Sequence, residues 1–224
     1  MFKSAKPSKS EATRARVYQT ALTLFRSTGF EATTMRDVAA QARLALGGAY
    51  YYFPSKDAIV LAYYQEIQAE HGRRVRELLP GVRSLAERIA LVNRVKLDIL
   101  ANDRKLMGAL LRYAGEPDHP LSFLSQDSRS LREQGMSLFA EALAPEKLPP
   151  DLRSLLPMLL WGAHMGLLLY FLYDKSAGQQ RTHRLNDNGA ELMAKLLAVA
   201  KLGILKPVRG KLAALLRDAE LLPA

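Results

Sequence analysis

Residues 33–57 read TTMRDVAAQARLALGGAYYYFPSKD, and the organisation of the whole chain hangs on them. Thr34 stands three residues before Asp37, the capping-box pattern that opens a helix, with a shorter acid than the usual Glu or Gln. Met35, Val38, Ala39 and Ala42 then recur at helical spacing, which turns Arg36, Gln41 and Arg43 outward. Leu44 is placed to plug a corner. Ala45-Leu46-Gly47-Gly48-Ala49 opens a second helix whose start is thin enough to approach another surface closely. Tyr50, Tyr51, Tyr52 and Phe53 follow, and Pro54-Ser55-Lys56-Asp57 ends that helix and starts another with Ser55 as N-cap.

Two short helices of this kind suit a helix-turn-helix, in which a recognition helix brings its first residues to base edges while flanking groups hold phosphates. Tyrosine hydroxyls and Lys56 can bond phosphate oxygens and so set register. The candidate DNA contacts are Thr34, Arg36, Ala45, Leu46, Gly47, Gly48, Tyr50, Tyr51, Tyr52 and Lys56. On spacing alone, a plain helical hairpin with packed tyrosines remains the competing reading.

Thr34-Met35-Arg36-Asp37-Val38-Ala39, then Gly47, Tyr50, Tyr52-Phe53 and Ser55-Lys56-Asp57, resemble the DNA-binding signature of the TetR-like family of bacterial regulators. The resemblance extends back over Arg14 to Phe30 and covers about the first quarter of the chain. Two positions depart from the family pattern: Arg43 stands where glycine is usual at the turn, and Ala45 where serine or threonine is usual. Arg43 in a left-handed backbone costs on the order of 1 kcal/mol. Ala45 removes one hydroxyl from the set of possible phosphate or base contacts.

The 224 residues suffice for a small DNA-binding head and a helical body with a sizeable core. Net charge is +10, and it is unevenly spread. Up to Lys56 nine cations face three acids, a net +6 in the first quarter, the footprint of a polyanion partner. No run is read as reaching the ~18 uninterrupted apolar residues of a membrane span. The opening MFKSAKPSKSEATR has no apolar stretch behind its charge and is not read as a signal peptide. Zero cysteines exclude disulfides and thiol chemistry, so a cytoplasmic protein is expected.

Residues 1–10 read as a mobile basic arm. Arg14 to Thr28 reads as an amphipathic helix ended by Gly29, with Val17, Ala21, Leu24, Phe25 and Phe30 bracing Val38, Ala42, Leu44 and Phe53. The expected division is a helix-turn-helix domain at 1–56 and a helical ligand-binding and dimerisation domain at 57–224. The helix led by Ser55 crosses between them. Further helices are expected over Ser84 to Ala101, Asp103 to Tyr113, Leu121 to Leu143, Asp151 (as cap) to about Asp174 with a kink or restart at Pro157, Asn186 or Asp187 (as cap) to Leu202, and Gly210 to Leu222. No strand pattern occurs, so the fold class is all-α. The role of 207–224 is left open.

Leu155 to Tyr173 is apolar nearly all round, as in a helix buried on every side by a core or a second subunit. Together with the 187–202 helix it can supply a four-helix interface between two copies, and the TetR-like resemblance implies the same homodimer. The resemblance also implies a pocket for a small apolar or aromatic inducer. Candidate liners are Met107, Tyr113, Phe123, Met136, Phe139, Trp161, His164 and Met165, each also suited to plain core. His71, His119, His164 and His183 show no metal-ligand spacing, and no catalytic constellation is found, so neither metal, cofactor nor enzyme activity is expected. The expectation is a ligand-responsive regulator, most readily a repressor on a palindromic double-stranded operator. A helical interaction protein with an unused helix-turn-helix is the alternative, with a small helical enzyme behind it.

Overall fold

The computed structural model describes residues 8–222, and among these the chain is helical with no strand. The helices are α1 (Lys9–Ser27), α2 (Met35–Gln41), α3 (Leu46–Tyr52), α4 (Lys56–Leu78), α5 (Leu85–Leu100), α6 (Arg104–Ala114), α7 (Arg129–Leu143), α8 (Pro150–Tyr173), α9 (Gln180–Ala200) and α10 (Lys206–Asp218). They form two compact units, one of residues up to 66 with 103–129, the other of 67–102 with 130 onward. α4 runs unbroken and contributes to both.

The first unit is built on α1 packed across α2 and α3. Val17, Ala21, Phe25, Phe30, Val38, Ala42 and Phe53 are all buried, and Tyr18 and Leu22 join them. Tyr18 stacks on Phe53 at 6.3 Å and Phe25 meets Phe30 edge-on at 5.1 Å. α6 belongs here as well: Phe30 packs edge-on to Tyr113 at 5.6 Å, and Asp103 takes both a bidentate Arg26 pair (2.7 and 2.8 Å) and the Tyr63 hydroxyl (2.8 Å). α1 begins at Lys9, not at Arg14. Ser8 accepts from the Glu11 amide at 3.1 Å while the Glu11 carboxylate accepts from the Ser8 amide at 2.7 Å. That capping box takes Ser8–Ser10 out of the expected mobile arm; residues 1–7 of the arm lie outside the described residues.

α2 ends in a left-handed residue. Arg43 has φ 56°, its amide bonds Ala40 O at 3.1 Å, and the Leu44 amide bonds Ala39 O at 2.9 Å. These two bonds make the Schellman turn that usually falls to glycine.

In the second unit α5 packs along α9, and Ile89, Val92, Val95, Leu138, Phe139, Leu160 and Leu197 share one core with Leu148 and Leu152. Three expected boundaries are corrected. Residues 121–128 are not helical: the Ser125 and Ser128 hydroxyls both donate to Ser122 O, at 3.0 and 2.6 Å, the Ser122 hydroxyl donates to Ala114 O, and α7 starts only at Arg129. Serine side chains that bond nearby backbone offer the chain an alternative to helix. Pro149, not Asp151, precedes α8, and the Asp151 carboxylate instead takes Arg209 at 2.6 Å. α9 starts at Gln180, so Asn186 and Asp187 lie in its interior; Asp174 supplies the missing acceptor, taking the Thr182 amide at 2.9 Å and hydroxyl at 2.8 Å. α8 stays a single helix through Pro157. By length and composition it is apolar enough to cross a bilayer, which corrects the reading that no run is; within the unit a third of its most apolar window is buried. Arg209 also bonds Leu202 O at 3.0 Å, so α10 is tied back to the ends of α8 and α9.

Replacing Arg43 by glycine removes the Cβ that crowds a left-handed backbone, a relief of up to about 1 kcal/mol, partly offset by the freer unfolded chain. Arg43→Gly is expected to raise the thermal unfolding midpoint by about 1–3 °C. A fall measured by circular dichroism would contradict the left-handed turn.

Candidate nucleic-acid interface and the polar interior of the body

α2 is anchored at its start by Thr34 and Asp37. The Asp37 carboxylate accepts from the Thr34 amide at 2.8 Å and from its hydroxyl at 2.6 Å, and the Thr34 hydroxyl accepts from the Asp37 amide at 3.2 Å. Those bonds hold the Asp37 pKa below the usual carboxylate range. The hydroxyl of Thr34 is thereby committed to the cap, while Arg36 one residue on is exposed.

The Arg43 turn then sets the direction of α3. Ala49 is its buried face, and Leu46, Gly47, Tyr50 and Tyr51 share the opposite, exposed one. Tyr51 is 80% exposed and Tyr50 46%. Tyr52 is half-buried, with its ring edge-on to Tyr51 at 5.1 Å. Ala45 precedes α3 without a side-chain cap, as its lost hydroxyl requires. The two glycines differ: a Cβ on Gly47 would meet open space, whereas one on Gly48 would touch Leu44 at 3.7 Å. The glycine presented outward is therefore Gly47, and Gly48 lies toward the corner that half-buried Leu44 fills.

Lys56 is placed otherwise than as a free phosphate hook. Its ammonium donates to Phe30 O at 2.7 Å and Glu31 O at 3.4 Å and lies 4.5 Å from the Phe30 ring centroid, tying the start of α4 to the α1–α2 connection. One of its three donors remains for another acceptor. Lys9, Arg14, Arg16, Arg36 and Arg43 are exposed, and the Arg14 guanidinium lies over Phe53 at 4.5 Å.

The eight candidate liners divide between the units: Met107, Tyr113 and Phe123 fall in the one that holds the head, and Met136, Phe139, Trp161, His164 and Met165 in the other. Tyr113 stacks on His119 at 4.5 Å and its hydroxyl donates to Glu31; Phe123 is 37% exposed. Phe139 is fully buried, with its ring edge-on to His164 at 5.7 Å. Trp161 lies against Gly135, where a Cβ would come within 3.0 Å of the indole. Met107, Met136 and Met165 are half-buried.

His164 belongs to a polar set inside the second unit that sequence reading largely missed. Its Nδ1 bonds Asn93 Oδ1 at 2.8 Å, Asn93 Nδ2 donates to Asn186 Oδ1 at 2.8 Å, and Asn186 Nδ2 donates to Ala90 O at 3.0 Å. His71 stacks parallel to His164 at 6.1 Å and bonds Val92 O at 2.7 Å through Nε2; Lys96 donates to Gln68 Oε1 at 2.8 Å. Burial pushes the Lys96 amine down to about 7, and burial together with the Lys96 charge pushes His71 down to about 3 and His164 well below its ordinary value. A signal was present: Asn93 and Lys96 sit at helical spacing inside the apolar stripe Ile89, Val92, Leu100 of α5.

Among known proteins, the family profile described as bacterial regulatory proteins, tetR family, matches residues 17–63, and that of the tetracyclin repressor-like C-terminal domain matches residues 88–209. No curated protein matches in sequence. Solved structures of similar fold include Thermus thermophilus FadR, a TetR family repressor in complex with lauroyl-CoA (24% identity over 81% of this chain and 92% of that one, TM-score 0.59). Another is a TetR regulator from Nitrosomonas europaea (19%, covering 80% and 96%, TM-score 0.64). A third is FadR from Bacillus subtilis in complex with stearoyl-CoA (18%, covering 80% and 97%, TM-score 0.62).

A buried amine with a depressed pKa makes stability depend on pH. Between about pH 7 and its unfolded value near 10.5 the unfolded chain holds the Lys96 proton and the folded chain does not, so stability rises with pH across that window. The melting temperature is expected to climb from about pH 7.5 to 9.5 in the natural protein and to climb less in Lys96→Met. Equal slopes in differential scanning calorimetry would show that Lys96 is not held uncharged.

Proposed function

The chain belongs to the tetR family of bacterial regulatory proteins, and from that premise we propose that it is a cytoplasmic, ligand-responsive repressor binding a palindromic operator as a homodimer. The observation that carries the reading is the exposed face of α3, where Leu46, Gly47, Tyr50 and Tyr51 stand free of the head's core. That helix enters the major groove. Gly47 lets its backbone approach base edges, the hydroxyls of Tyr50, Tyr51 and Tyr52 and the spare donor of Lys56 meet phosphates, and Arg36 and Arg43 add charge. Thr34, Ala45 and Gly48 act through placement, by capping α2, leaving the start of α3 uncapped and seating the corner. Residues 1–56 are the operator-reading part and 57–224 the part that pairs and senses.

Pairing is supported by a stripe on α8 and α9 that one copy leaves uncovered. Leu159, Leu169, Tyr170 and Tyr173 are 38–73% exposed, and Gly162 and Gly166 between them have open space where a Cβ would lie. On α9 Leu185, Leu192, Leu196 and Val199 repeat at helical spacing, 49–57% exposed. Two copies laying these stripes together form a four-helix interface. Such a dimer reads two half-sites one helical turn apart, about 34–36 Å.

The effector is a small, largely apolar molecule taken up by the body; the two FadR proteins of similar fold are in complex with lauroyl-CoA and stearoyl-CoA, which share an apolar acyl chain. It acts by favouring one of two arrangements of the heads, which requires unequal affinity for the two. α4, a continuous helix of 23 residues, is the lever.

Selection of bound DNA fragments by the purified protein tests the operator. An inverted repeat is expected. On that repeat Gly47→Leu should fold normally yet weaken specific binding about tenfold or more, with little loss on random DNA; equal losses would place Gly47 outside the groove. Arg36→Ala should weaken binding to all sequences and lower the salt slope by about one phosphate. Leu192→Glu with Leu196→Glu should give monomers in light scattering, and dimers that persist would move the interface elsewhere.

A further inference from the structure

Lys96 carries three donors into the interior of the body and spends one, on Gln68 Oε1 at 2.8 Å. Its side chain is buried, and among the described residues no carboxylate pairs with it. A buried ammonium without a counter-charge is costly, and a lysine of ordinary structural role keeps its head in water.

The hydrogen-bond directions around it follow from two backbone carbonyls, which can only accept. Val92 O takes the Nε2 proton of His71 at 2.7 Å, so His71 Nδ1 is a lone-pair acceptor, and it is buried with no hydrogen-bond partner. Ala90 O takes a proton of Asn186 at 3.0 Å, so Asn186 Oδ1 accepts from Asn93, and Asn93 Oδ1 in turn accepts from His164 Nδ1. His164 Nε2 is thereby a second acceptor. Two neutral, parallel imidazoles and one amine thus lie together in an apolar interior, with Phe139 edge-on to His164.

Such a cluster is short of one anionic acceptor for the amine and one proton for an imidazole. A carboxylic acid brings both: one oxygen accepts from Lys96, and its proton either charges Lys96 or is shared with His71 Nδ1. A phosphate dianion would set a second negative charge against two lone pairs. An alcohol or ester carries no charge that would draw a proton onto the amine, so it gains no ion pair there. Resting on the effector reading above, we propose that Lys96 and His71 are the acid-binding end of the effector site, and that the effector is a monocarboxylic acid with an apolar body.

The titratable groups facing Lys96 are His71 from α4 and His164 from α8; Gln68, Asn93 and Asn186 do not titrate. With the amine held down to about 7, it is mostly uncharged at pH 8, and a carboxylate arriving beside it draws in a proton.

Isothermal titration of the full chain with decanoate and with decanol tests this. Decanoate is expected to bind roughly tenfold or more tightly than decanol, and Lys96→Met to abolish that preference while keeping decanol binding. In the natural protein at pH 8, decanoate binding should take up close to one proton, read from the dependence of the heat on the buffer's ionisation enthalpy. This measurement stands even if Lys96→Met fails to fold. Equal affinity for the two probes, or no proton uptake, would overturn the acid-binding assignment and leave an apolar effector site standing. Binding of neither probe would overturn the effector reading together with it.

Discussion

The two backbone hydrogen bonds that end α2, from Arg43 to Ala40 and from Leu44 to Ala39, govern the arrangement of the head. They satisfy carbonyls that a helix end would otherwise leave unpaired and swing the chain through a left-handed residue, so that α3 departs at a set angle. Everything about the exposed face of α3 follows from that departure. Ala49 goes inward, and Leu46, Gly47, Tyr50 and Tyr51 go outward. Phe53, stacked against Tyr18, then holds the far end of the helix in place.

The cations of the head divide by task. Lys56 and Arg26 are engaged within the unit, one on the carbonyls of Phe30 and Glu31, the other on Asp103. Arg14, Arg16, Arg36 and Arg43 stay in solvent and contribute their charge to the positive surface of the head. Formal charge alone does not separate these two groups, because the engaged ones are identified by partners distant in the chain.

The second unit combines two demands that rarely coincide. Its interior contains an amine and an imidazole that hydrogen bonding only partly satisfies, whereas its outer side carries leucines, tyrosines and glycines that the described residues leave largely exposed. A domain meant only to be stable would reverse both choices, since unpaired polar groups inside and apolar stripes outside each cost free energy. Both features accord with the proposed body, which gains a ligand within and a second copy without.

Periodicity and capping chemistry were enough, read from residues alone, to set out an all-α chain, its helix-turn-helix and most of its helices, because these depend on neighbours three or four residues apart. The Thr34–Asp37 box and the Ser84 start of α5 are cases of that local logic, whereas the left-handed turn at Arg43 was pointed to by the family resemblance. Where a helix end is settled by a side chain across a turn, local logic failed. Asp174 starts α9 ahead of Asn186, and Arg209 draws Asp151 away from capping α8. The pairing of Gln68 with Lys96 and of Asn93 with Asn186 spans 28 and 93 residues, so only the folded chain brings them together. Exposure is decided in the same way: Leu192 and Leu197 look alike in the sequence, but packing against α5 buries the second and leaves the first in solvent.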